Sequence, residues 1–532
     1  MESQPEIPIS NIVNNELSSK ILQLFNSPSM NRSSPRKNKK FIKYKRKQSN
    51  SHLESSYTSS TDSTSSTHSL LSSLSIPLDL YTQSQTLTET NPSNFLTYTT
   101  NIFSQNINEQ YPALVGIRKC ITLNLYINEM KSKGIINKLP ELLESKHPEI
   151  QNETLWCLIN LTSDSNIIES KVFIANGILN KILTLINKTD IEEIMCNALW
   201  LIGNISDCEE TRKELIRVEC FHKIVDILSK STNLEIIKQC FESMFNFWTF
   251  EPLIPFSHLI ICFEALIKWF NIIRENSQNH EVDNFEMNAV WFLYYLTKYY
   301  KQSFNYVIES DIIKELIIIY IQKQNPDFQW MCFKLFVNIT SGNDLYVDYL
   351  ISVGIIQIIQ NALNFKSTDK KIINECVKVL YNLTKGKKEQ LILLIIGGVF
   401  NDLKRLLDEK KLQLSWISKK YIYLTFCNFT KLQDIEVITN FNFISIIEIM
   451  LRKHNVELLI AGLRAISNLL LLEQIKACLL FNGGIKFPLL NKINTGILKK
   501  RIMKLQKHKS VLVSKKANEL FNNFLSKNRL VI

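Results

Sequence analysis

Trp156 and Asn160, Trp200 and Asn204, and Trp291 and Tyr295 each stand four residues apart, inside the apolar stretches ETLWCLINLTS, NALWLIGNIS and NAVWFLYYLT. On a helix, that spacing sets both side chains on one face, one turn apart. The chemistry these residue types offer is recognition. Parallel indole rings from neighbouring helices form slots that take the aliphatic stems of Lys or Arg. An Asn amide carries both a donor and an acceptor, so it can clamp the backbone of an extended peptide. Asp164 and Asp207 follow the first two Asn residues and are positioned to meet ammonium tips. Each residue also has a plainer reading. Trp in a helical chain serves as core, and Asn can bridge or cap helices. Trp248, Trp269, Trp330 and Trp416 fall out of register and are assigned to packing.

Catalytic signatures are missing from the sequence. It has no phosphate loop, H-E-x-x-H, G-x-S-x-G, dinucleotide fingerprint or kinase motif. The eight His residues are dispersed and none lies at metal-ligand spacing from Cys or another His. The 11 Cys are scattered, with no C-x-x-C, and most sit in apolar helical stretches as small core residues. The reading is therefore a non-enzyme with no cofactor or metal, in a reducing compartment.

The elements that must position the Trp and Asn residues repeat. A helix ending in Asn-apolar-Ser/Thr recurs, with its landmark at Asn160, Asn204, Asn246, Tyr295, Asn338, Asn382, Asn428 and Asn468. The steps are 44, 42, 49, 43, 44, 46 and 40 residues. Gly134, Gly177, Gly354 and Gly398 precede their landmarks by 26 to 30 residues, where a sharp bend between two shorter helices is needed. A period near 44 is that of armadillo and HEAT arrays, in which units stack because none can bury its apolar face alone. The expected fold is all-α: an armadillo-repeat, right-handed superhelical solenoid of about nine units over residues 101–490. Few Gly and Pro, 13 of each, agree with helices joined by short polar loops. The 49-residue step holds an insertion, ENSQNHEVD, read as a loop.

Charge is uneven. The total is +12, with +7 in residues 1–50 and +10 in residues 491–532, leaving −5 for the stretch between. A mildly acidic body between basic ends suits a receptor for basic peptides, or one that holds its own tail. Residues 36–47, RKNKKFIKYKRK, carry eight basic residues in twelve, and 16 of the 25 residues from Ser49 to Ser73 are Ser or Thr. The organisation expected is a disordered basic arm over 1–48, a flexible linker over 49–100, the array, and a basic helical tail over 491–532. The N-terminus has no secretory pattern, and no 18-residue uncharged apolar stretch is present.

The Trp-x-x-x-Asn array, the Trp-then-Tyr variant in NAVWFLYYL and the stretch VNITSGNDLYVDYLISVGI resemble importin-α, the armadillo adaptor of nuclear import. In the last of these units that family carries a basic residue in place of Trp, and Lys334 with Asn338 occupies the positions here. The resemblance covers about residues 105–490. It implies a major site for nuclear-localisation-signal cargo at Trp156, Asn160, Trp200, Asn204 and Asn246, with Glu242 standing where the third Trp would be. Asp207 lies one residue short of the family's usual acidic position. A minor site would use Asn382, Asn428 and Glu375, but Lys378 and Leu424 replace its Trp residues. Lys334 and Lys378 would then face a basic ligand, so that site is expected to be weak or lost.

The resemblance further implies an importin-β-binding segment at Arg36, Lys37, Lys39, Lys40, Lys43, Lys45, Arg46 and Lys47, able to fold back over the groove. It implies shuttling between cytoplasm and nucleus, with no small-molecule substrate and no membrane insertion. Two departures matter: the arm is shorter and poorer in Arg than the family's, and LKKRIMKLQKHKSVLVSKK is basic where the family is acidic and meets its export receptor. The rival reading is an armadillo scaffold without a transport role.

Overall fold

The computed structural model describes residues 90–163, 177–275, 285–364, 369–408, 414–432, 443–479 and 488–526. Every regular element among them is a helix. The arm at 1–48 and most of the linker lie outside the described residues. Pro92–Asn101, placed in the linker by the sequence reading, is a helix capped by the Asn91 side chain, with Phe95 and Tyr98 buried.

Nine helices carry or extend the landmark row: α1 Ile107–Thr122, α2 Pro148–Ser163, α3 Glu192–Ile205, α4 Leu234–Thr249, α5 Phe285–Tyr299, α6 Pro326–Thr340, α7 Lys370–Leu383, α8 Trp416–Phe429 and α9 Val456–Leu479. The chain divides into two compact units between Leu296 and Thr297, within α5. In the first unit α1 to α4 pack side by side, each against the next; in the second, α6 to α9 do the same.

One repeat shows how sequence builds the unit. Glu209–Arg217 is a short helix, Cys220–Lys230 a second, and α4 the third. Asn233 caps α4 by accepting from the backbone N–H groups of Glu235 and Ile236. Ile224, Leu228, Phe241 and Met244 are buried between the helices. Burying side chains of this size stabilises by about 1.5–3 kcal/mol each, which no single repeat achieves without a neighbour.

The bend between the first and second helices is left-handed. Gly134, Gly177, Gly354 and Gly398 take φ of 75°, 66°, 93° and 72°. The same bend occurs at Glu219 and Asp311, with φ of 55° and 59°. Both lie 27 residues before their landmark, where the Gly signal was absent from the sequence. The repeat geometry therefore holds a conformation that costs an L-residue roughly 1–2 kcal/mol.

Within the basic helical tail, residues 497–525 pack on the array. Ile497–Leu505 and Val511–Leu520 are helices with Leu498, Ile502, Val513 and Leu520 buried, and the second packs on α9. Arg501 donates through Nε to the Leu451 carbonyl at 2.6 Å. α9 contains the one stretch among the described residues, Val456–Ile475, that is long and apolar enough to cross a membrane. More than half of it is buried in the protein, as befits a core helix.

Candidate recognition rows

The landmark Asn side chains form a ladder. Asn160 donates through Nδ2 to Thr122 Oγ1 at 2.9 Å, and Asn204 to Thr162 Oγ1 at 3.3 Å. Asn246 donates to Ser206 Oγ at 3.1 Å and to the Gly203 carbonyl at 3.0 Å. In the second unit Asn338 reaches Thr297 at 3.1 Å, Asn382 reaches Thr340 at 3.2 Å, Asn428 reaches Thr384 at 3.1 Å and Asn468 reaches Thr430 at 3.2 Å. The acceptor in every step is the hydroxyl two residues past the landmark position of the preceding helix. The bridging role of Asn is thus realised, and the amide N–H is committed to the neighbouring repeat. For Asn160, Asn204 and Asn246, Oδ1 remains the atom suited to a guest's backbone N–H.

The ladder skips one rung. Tyr295 stands for Asn on α5, and Trp248 stands for the hydroxyl on α4, so both halves of the bond are replaced together. Aromatic packing takes over: Trp248 meets Phe292 at 4.9 Å, and Phe245 meets Trp291 at 6.0 Å and Tyr295 at 6.3 Å. Trp291 and Tyr295 stack on each other at 5.6 Å, with 18° between planes. Trp248 and Trp269 are core residues, 3% and 2% exposed, as assigned.

Trp156 and Trp200 lie on the Asn stripe, one repeat apart and half-buried. Their rings meet edge to face, centroids 5.6 Å apart and planes at 72°. This corrects the expectation of parallel walls. Two indoles on adjacent helices gain more by quadrupole-matched edge contact than by standing apart around an empty slot. A lysine stem would have to rotate one ring away to enter.

The acidic partners are partly engaged. Glu153 pairs with Arg118, and both are about nine-tenths covered. Glu193 Oε1 accepts from Asn152 Nδ2 at 2.9 Å, and Asn152 Oδ1 accepts from Asn197 Nδ2 at 2.8 Å. Burial holds the Glu193 carboxyl above its ordinary range, and Oε2 is buried without a hydrogen-bond partner. Glu242 accepts from Asn288 Nδ2 at 3.2 Å, so it is part of the repeat-to-repeat bonding as well as a charge on the stripe. Asp207 is exposed just past α3. Asp164 and the residues from Arg36 to Lys47 lie outside the described residues.

The second unit's stripe has the opposite character. Four residues before the landmark stand Lys334, Lys378, Leu424 and Arg464; three residues after it stand Lys298, Lys385 and Lys431. Lys298 lies on α5, whereas Lys385 and Lys431 follow the ends of α7 and α8, about one turn past the landmark Asn. Leu424 is 4% exposed and closes into the core. Glu375 pairs with Lys378 at 2.9 Å. Lys385 donates to Asn382 Oδ1 at 3.1 Å and sits 4.1 Å from the Tyr381 ring, which occupies the acceptor a guest peptide would need. Trp330, read as packing, is half-buried and carries Lys334 at 4.6 Å and Lys371 at 5.8 Å over its ring. Trp416, also read as packing, is 44% exposed, with Lys453 at 5.5 Å.

Burial, with Lys378 and Lys298 nearby, pulls the Lys334 ammonium below its ordinary range, against Glu375. Burial and Lys431 do the same to Lys385, against Glu457, and burial and Arg464 to Lys431.

This contrast was present in the sequence and unread. Residues 90–296 hold 17 Lys/Arg against 25 Asp/Glu, a net −8. Residues 297–490 hold 24 against 17, a net +7. The two halves nearly cancel to −1, and Glu54, Asp62, Asp79 and Glu89 supply the remaining −4 of the body's −5, so the mild acidity of the whole conceals two halves of opposite sign. Counting charge by repeat instead of by tail and body would have found it.

Comparisons agree with the repeat architecture. A model of the family "Kinesin-associated protein (KAP)" matches residues 114–247. The probable importin subunit alpha-A of Dictyostelium discoideum is 25% identical over 231 residues, which cover 40% of this chain and 41% of that protein. The matched region thus spans well under half the length of that relative. Among solved structures, an engineered protein has a TM-score of 0.61 at 17% identity, covering 81% of this chain and 99% of its own. A structure from work on a phosphorylation switch controlling the interaction between cadherin and β-catenin has a TM-score of 0.60 at 12% identity, covering 81% and 86%. The chain is an all-α armadillo-repeat protein, distantly related in sequence to importin-α.

Proposed function

We propose that this protein is a nuclear import adaptor. It takes basic nuclear-localisation peptides in extended form on the first unit's Asn stripe and links them to importin-β, shuttling between cytoplasm and nucleus. The observation that carries the reading is Trp156 and Trp200, half-buried and in register with Asn160 and Asn204, on the half of the array with net −8. Breaking one edge-to-face contact, worth about 0.5–1.5 kcal/mol, opens the slot, and two cation–π contacts offset that cost. The basic C-terminal helices offer no acidic surface of the kind an export receptor meets in the family, so export-receptor binding is not assigned to that end.

The test is a tryptophan-fluorescence titration of the full chain with a Lys-rich peptide, alongside capture of importin-β with and without residues 1–48. Trp156→Ala and Trp200→Ala should each weaken peptide binding by about tenfold. Deleting residues 1–48 should abolish importin-β capture and raise peptide affinity. No fluorescence response together with no capture would sink the reading. The closed Trp156–Trp200 contact and the kinesin-associated match favour the rival, a protein-binding scaffold without transport, and that double negative is its signature.

A further inference from the structure

The second unit's stripe presents Lys334, Lys378 and Arg464 on the landmark helices, Lys298 at the end of α5, and Lys385 and Lys431 just past the ends of α7 and α8. Glu375, which holds Lys378 at 2.9 Å, and Glu457, which is paired with Lys420, lie beside them. These cations stand in a half of the array that carries a net +7. Like charges already crowd one another there, since Lys334 feels Lys378 and Lys298, and Lys431 feels Arg464. A ligand of opposite sign relieves that repulsion, and one of like sign adds to it.

The row is also shaped for a chain. Successive helices pack at roughly 8–10 Å, and an extended peptide advances about 3.3 Å per residue, so about three residues pass each repeat. Tyr381 and Tyr421, half-buried and 5.3 Å apart, supply apolar surface between the cations. The ladder keeps the helices in register, so the two positions recur from repeat to repeat, with Leu424, Ser341 and Leu471 breaking the run of cations.

We propose that the second unit's Asn stripe is a docking site for an extended acidic polypeptide segment of a partner protein, rich in Asp or Glu. Its cations at the two register positions bind carboxylates at intervals of about three residues. This site is separate from the basic-peptide reading of the first unit and does not depend on it.

The experiment is fluorescence anisotropy of a dye-labelled Glu/Ser peptide with the full chain. Three proteins are compared: wild type, Lys385→Glu with Lys431→Glu, and the charge-matched control Lys388→Glu with Lys404→Glu on neighbouring helices of the array. All four lysines reach solvent, Lys385 and Lys431 with part of their length desolvated by neighbours, and circular dichroism melting checks that folding survives. The wild type and the control should bind alike, and the Lys385/Lys431 variant about tenfold or more weaker. The variant should bind a Lys-rich peptide no worse than wild type. Absence of wild-type binding overturns the proposal, as does equal loss in the control, which would mean net charge alone. A single-stranded oligonucleotide that binds as tightly and displaces the peptide overturns it in favour of nucleic acid.

Discussion

Asn382 Nδ2 lies 3.2 Å from Thr340 Oγ1, and this bond joins two copies of one sequence pattern across neighbouring repeats. The Asn and the hydroxyl within a single Asn-apolar-Ser/Thr copy serve different partners. Thr340 accepts from the repeat after it, and Asn338 donates to the repeat before it. The pattern persists because each half is useful only if its neighbour carries the other.

That relationship sets the first prediction. Asn382→Ala and Thr340→Val should each destabilise, and a double-mutant cycle by chemical denaturation should give a coupling of about 1 kcal/mol. Strict additivity would mean that the 3.2 Å contact contributes nothing.

The left-handed bends give the second. Glu219→Gly relieves an L-residue at φ 55°. The relief of about 1–2 kcal/mol exceeds the added chain entropy of Gly, about 0.5–1 kcal/mol, so the variant should be slightly more stable. Gly134→Ala should go the other way by about 1 kcal/mol, through backbone alone, because its added Cβ meets nothing within 4 Å. A change of the same sign in both melts would contradict a shared bend.

Glu193 supplies a pH prediction. Its carboxyl is held above the ordinary range by burial, with Glu153 adding to the rise and the Asn152 bond opposing it. The folded state therefore holds this proton more tightly than the unfolded chain. The associated stability is complete below the ordinary carboxylate value and is lost as pH rises through the raised one. Glu193→Gln should melt with the wild type near pH 4 and about 2 °C above it at pH 7. The same gap at both pH values would exclude the linkage.

Ligand length gives the fourth. Lys334, Lys378 and the engagement of Asn382 Oδ1 by Lys385 make the second unit unfavourable for a basic cluster. A peptide with two basic clusters should bind no more than about tenfold tighter than one with a single cluster, by isothermal titration. A larger gain would show that the second unit accepts cations after all.

Several features could be read from residue types alone. The helical period, the spacing of Asn160, Asn204, Asn338, Asn382 and Asn428, and the bends at Gly134, Gly177, Gly354 and Gly398 follow from local chemistry. Apolar spacing defines a helix face, and a left-handed bend selects Gly wherever nothing else stabilises it. The bends at Glu219 and Asp311 escaped because packing there imposes the backbone conformation without help from the side chain.

Other features needed the neighbouring helix. Whether Trp156 and Trp200 frame a slot or touch each other depends on rotamers and helix separation, which no single repeat contains. That Asn donates to the preceding hydroxyl, that Lys385 fills Asn382, and that Trp330 carries two lysines are likewise relations between repeats. Composition listed the charges, but stacking decided which of them share a face. Coulomb energy depends on distances between residues some forty positions apart in the chain, and only the packed array determines those distances.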